Sequence, residues 1–111
     1  MPDSNGNVTT LFEHMSSTVL PETRFIVKRA GDPTFSGAGQ LLKAGESNYR
    51  PTLCGTTALP VCRWGDYEAT SFDGSGHIWF AGQYANLFQG VNTPPGFGRN
   101  CGTWIGAIAA S

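Results

Sequence analysis

An all-β chain of antiparallel sheets stacked face to face is what this sequence predicts, on three observations. Fifteen glycines and seven prolines are spread along the 111 residues instead of being gathered into one linker. Short runs rich in β-branched and aromatic residues lie between them, which is the punctuation of many short strands. No window carries a convincing helical stripe. The best candidate, "TTLFEHMSSTVL" (residues 9–20), is weakened by β-branched residues at both ends.

Taken in order, a first strand is expected near residues 8–13 and a second near 16–20. "RFIVKRA" (24–30) is a strong strand stopped by the breaker "GDP", and "AGQLLKAG" (38–45) is a shorter one between glycines. Residues 46–62 read as a loop, with Pro51, Pro60 and two cysteines. "DYEATSF" (66–72) and "HIWFAGQYA" (77–85) form a hairpin around "DGSG" (73–76), because Asp-Gly tolerates positive φ and matches strand twist. "NLFQGVNTPPGFGRN" (86–100) is a long loop, and "GTWIGAIAA" (102–110) is the closing strand.

Side chains alternate across a strand, so each face can be read separately. Asp66, Glu68, Thr70 and Phe72 share one face; Tyr67, Ala69 and Ser71 share the other. His77, Trp79, Ala81 and Gln83 oppose Ile78, Phe80, Gly82 and Tyr84. Neither strand is cleanly polar on one side, and "TWIGAIAA" repeats the theme. Both faces are therefore expected to be covered, as in sheets stacked around an axis.

Composition narrows the function. Charged residues make up only 14% against 40% apolar, too apolar for a disordered chain and suited to a surface that packs against more protein. Formal net charge is −1 and the longest basic run is Lys28-Arg29, so nucleic acid is not an expected partner. No run of 18 apolar residues predicts a membrane span. "MPDSNGNVTT" has neither the basic nor the apolar region of a signal peptide. Three cysteines, an odd number, leave at least one unpaired within the chain. Cys54 and Cys62 flank a turn-like "GTTALP" and are a possible disulfide, with two reduced thiols the alternative. Neither histidine is spaced from a cysteine like a ligand set, so neither a metal nor a cofactor is expected.

"RWGDYEATSFD" followed by "HIWFAGQY" resembles the closing blade of exported bacterial β-propellers of the sialidase-like, or BNR-like, kind. Arg63, Trp64, Gly65, Asp66 and Tyr67 match as a block. Asp73 matches the turn acid, Trp79, Phe80 and Tyr84 the aromatic strand, and "GTWIGAI" with Trp104 the closing strand. Upstream, Arg29, Asp32 and Pro33 resemble an Arg-x-x-Asp-Pro element, so the resemblance runs over about residues 24–110. "SFDGSGHIW" is also similar to the Ser-x-Asp-x-Gly-x-x-Trp box of sialidases, with Gly76 one residue late. Departures are Glu68 for Ser, Gly74 for Pro, Gln83 for Glu and Cys101 for an aromatic.

The resemblance implies a partial propeller of about one and a half to two blades within a single domain, 1–111. Residues 1–23 would end a preceding blade, 24–62 would supply strands and a loop, and 63–111 the closing blade. It implies an extracellular or cell-surface setting. Partners would be the remainder of a larger propeller or identical copies, with a glycan or protein as possible ligand. Arg63, Asp66 and Tyr67, near the mouth of such a blade, are the candidate ligand-binding residues. Trp64, Gly65, Asp73, Gly76, Trp79, Tyr84 and Trp104 are the structural motif. Catalysis by this chain alone is not expected: Glu68 and Tyr67, adjacent on a strand, point to opposite faces, and the arginines form no evident triad for a substrate carboxylate. The expected role is a non-catalytic structural or binding portion of a propeller. The alternatives are part of a sialidase-like glycoside hydrolase with its catalytic residues elsewhere, and a small self-assembling blade protein.

Overall fold

Six strands in two three-stranded antiparallel sheets make up the computed structural model, which describes residues 2–49, 64, 68–87 and 101–109. The first sheet has the order β1 (Val8–His14), β2 (Glu22–Lys28), β3 (Gln40–Lys43). The second has the order β4 (Ala69–Phe72), β5 (His77–Ala85), β6 (Cys101–Ala109). No helix occurs among the described residues, and so none long and apolar enough to cross a membrane. The all-β, antiparallel expectation therefore holds at the level of two three-stranded sheets, which do not close on each other into a barrel or ring.

The strand expected at 16–20 is not one. Residues 15–21 form the turn that joins β1 to β2. The Ser16 hydroxyl accepts the backbone N–H groups of Thr18 and Val19, both at 3.1 Å, and the Ser16 N–H bonds the Val19 carbonyl. A short hydroxyl side chain thus competes with the ladder for its own backbone, which is why a β-branched run here turns back. β1 and β2 are consequently partners, with Leu11 opposite Phe25 and Glu13 opposite Thr23. The expected division at residues 23/24 falls inside β2.

The hairpin at 73–76 forms as its composition dictates. Gly74 and Gly76 have φ of 76° and 102°, a region that penalises any Cβ. The Asp73 N–H bonds the His77 carbonyl to start the β4–β5 ladder, in which Phe72 faces Ile78 and Thr70 faces Phe80. β5 and β6 then pair without a break from His77–Ala109 to Ala85–Cys101.

The core lies between the sheets. Phe25 of β2 stacks on Phe80 of β5 with ring centroids 5.2 Å apart, and Leu11, Val27, Leu42, Phe72 and Ile108 surround Ile78 and the two rings. Gly82 lets the backbone of β5 touch the first sheet directly: a Cβ there would lie 2.5 Å from the Thr23 methyl. The other face of the second sheet is exposed at its centre. Trp79 is 46% exposed and Ile105 66%, whereas Ile78 and Phe80 are 1% exposed. The expectation that both faces of these strands are covered is corrected to one.

Candidate functional site

One polar cluster forms where β5 extends past the Ala69–Ala81 pair of β4. The β4 ladder runs from Phe72–Ile78 to the Ala69–Ala81 pair, and Gln83 lies two residues further along β5. The first sheet meets it with one cross-strand pair. The Gln83 N–H donates to Glu13 Oε1 at 3.1 Å, and the Thr23 hydroxyl donates to the Gln83 carbonyl. Glu13 and Thr23 thus tie the first sheet to the backbone of β5. Thr23 is fully buried, and its hydroxyl also lies 3.4 Å from Glu13 Oε1.

The second Glu13 oxygen engages the sequence motif. Trp64 Nε1 donates to Glu13 Oε2 at 3.3 Å, and the Trp64 ring meets Tyr49 edge-on at 4.6 Å. Glu68 stands just before β4 and is exposed. Burial first, and then the neighbouring Glu68 carboxyl, push Glu13 up to about 7, against the pull of its Gln83 and Trp64 donors. Beside the pair, Thr9, Leu11, Glu68 and Thr70 line a cavity of about 290 Å³ between β1 and β4.

Asp73 forms a second polar centre. Its Oδ1 accepts the backbone N–H of Ser75 at 2.8 Å and of His77 at 3.2 Å, together with the Ser75 hydroxyl at 2.8 Å; its Oδ2 accepts Trp79 Nε1 at 3.0 Å. The Trp79 indole and then Ser75 hold this carboxyl well below the usual carboxylate range. Around the start of β6, Lys43 lies 4.5 Å from the Tyr84 ring centroid and 5.2 Å from that of Trp104, and pairs with Glu46 at 2.7 Å. Both rings thereby serve a cation–π contact.

Of the residues singled out in the sequence, Arg63, Asp66, Tyr67 and Gly65 lie outside the described residues, as do Cys54 and Cys62. Cys101 is an exposed free thiol. Trp64 is brought to Glu13. Asp73 and Trp79 are brought together across the Gly76 turn, and Tyr84 is brought to Trp104 at 6.5 Å. These three groupings are separate. A crevice of about 520 Å³ is bordered by Phe25, Val27, Arg29, Gly37, Gln40 and Ile108, and Trp64, Asp73, Trp79, Tyr84 and Trp104 are absent from its described lining. Sequence reasoning missed Glu13. The signal was its parity: Thr9, Leu11 and Glu13 share the face that meets the core, so a carboxyl there must find partners. No group of three His, Cys, Asp or Glu among the described residues could hold a metal ion. No family model, curated protein or solved structure matches the chain.

Proposed function

We propose that this chain is a non-catalytic, blade-forming portion of an exported β-propeller, with a structural or binding role, and that its two sheets are successive blades. The observation that carries the reading is the Asp73 turn. One carboxylate gathers the turn amides of Ser75 and His77 and the indole of Trp79, so the residues that resemble a sialidase box act as a fold signature and not as a reaction centre. The uncovered outer face of the second sheet supports the same reading. Trp79, Ala81, Ile105 and Ala107 alternate onto it without a charge among them, as a surface needs to be if a further sheet packs there.

The test is the mass of the purified chain by light scattering after size exclusion, beside Ile105→Lys. Association of the parent chain that the lysine weakens supports a blade face seeking its neighbour. A monomer at every concentration, unchanged by the lysine, overturns the reading.

A further inference from the structure

We propose that the free edge of β6 pairs antiparallel with the same edge of a second copy of this chain, about a two-fold axis at Ile105, to give one continuous six-stranded sheet. An edge strand aims the N–H and C=O groups of alternate residues away from its neighbour, and these bind a further strand unless something blocks its approach. The usual guards are brevity, charge, proline and bulges. Among the described residues the edge strands are β1, β3, β4 and β6. β4 is only four residues long. β3 is as short, carries Lys43, and meets β2 through a register shift at Thr23/Arg24. β1 is bridged by Pro2 at Val8 and ends in Glu13 and His14.

β6 has none of these guards. Cys101–Ala109 is nine residues long, holds no charged residue and no proline, and follows β5 without a bulge. Trp104 and Ile105, at its centre, are exposed, and no described strand pairs its far edge. Lys43, the cation over the Trp104 ring, lies on the face turned to the first sheet and is bound to Glu46.

The side chains of β6 select a second copy as the occupant. Antiparallel pairing about Ile105 is the self-pairing register that uses all nine residues. It sets Trp104 against Gly106 of the other copy, Gly102 against Ile108, Thr103 against Ala107 and Cys101 against Ala109. Each large residue thus meets a glycine, and only Ile105 meets its own kind, at the axis. The same rule holds inside the chain, where β5 sets Gly82 against Trp104, Phe80 against Gly106 and Tyr84 against Gly102. With no charge on the strand, self-pairing brings no like charges together. A two-fold contact closes on itself, so the product is a dimer and not a fibre. The contact is made along the strand edge and is distinct from packing of another sheet on the outer face.

The experiment is oxidative cross-linking of Ala109→Cys in the full chain, with the disulfides mapped by mass spectrometry. Opposed residues of an antiparallel pair have Cα atoms about 4.5–5.5 Å apart, within reach of a disulfide. Residues 101 and 109 are about 27 Å apart along one strand, so a disulfide between Cys101 and the introduced thiol must join two copies. The expected result is a covalent dimer of twice the chain mass joined through that pair, with no Cys101–Cys101 bond in the parent chain. Sheets stacked by their faces lie about 10 Å apart, too far for that disulfide. A mixture of isotope-labelled and unlabelled parent chain is expected to show intermolecular cross-peaks between the Trp104 indole and the Gly106 α protons. If the variant does not fold, these cross-peaks decide. A monomer, a Cys101–Cys101 disulfide, or an associated chain that lacks the expected bond and cross-peaks overturns the edge pairing.

Discussion

The two faces of the second sheet are made by the same strands, in the same register, and differ in everything else. On one face Ile78, Phe80 and Gly82 are pressed against Leu11, Thr23 and Phe25, close enough at Gly82 to forbid a Cβ. On the other, Trp79 and Ile105 stand in the open with alanines between them. Apolar character is similar on both; closeness of a partner is not. Hydrophobicity of a strand face shows that something wants to cover it, and only the three-dimensional structure shows whether this chain supplies the cover.

The sharpest way to break the contrast is to attack the covered face. Phe80→Ala removes a ring that is 1% exposed and stacked on Phe25, and is expected to cost about 3–5 kcal/mol in denaturant unfolding. A loss under about 1 kcal/mol would mean that the sheets do not share this core. Gly82→Ala is expected to cost about 1–3 kcal/mol by overpacking, since the Thr23 methyl it would strike is buried and β-branched. Thr23→Val keeps the shape and removes the hydroxyl, leaving the Gln83 carbonyl without that donor, for about 1–2 kcal/mol.

On the open face the effects on folding shrink. Ile105→Lys is expected to change unfolding by no more than about 0.5 kcal/mol, because the side chain is already two-thirds exposed, while reducing association. The Asp73 turn gives an acid-side effect of its own. Its carboxyl is depressed in the folded chain, so its contribution is present above the ordinary value of 3.8 and disappears as pH falls through the lower folded value. Asp73→Asn is expected to remove that acid-side change from Trp79 fluorescence; a change that persists would assign it to another group.

Much of the second sheet was legible in the sequence for local reasons. β5 runs His77–Ala85 as its alternation requires, and the turn before it follows from Asp73, Gly74 and Gly76. β6 begins one residue earlier than expected, at Cys101. The false strand at 16–20 also failed locally, through a serine side chain that outcompeted the ladder. The site was illegible for the opposite reason. Glu13 meets Gln83 across 70 residues, and nothing in the pattern around either residue encodes the other. Its parity with Leu11 marked it as a carboxyl facing a core, which is a warning about burial and not a list of partners. The tryptophan of the Arg63–Tyr67 motif reached that carboxyl, a convergence that the motif read by itself did not suggest.

The most direct test of one covered and one open face is a nuclear Overhauser measurement between the Thr23 methyl and the Gly82 α protons. The structure puts that methyl where a Gly82 side chain would be, 2.5 Å from an ideal Cβ, so a strong cross-peak is expected. Its absence from a chain in which both sheets remain protected would contradict the packing of the second sheet on the first, and with it the reading of the outer face as the one left for a partner.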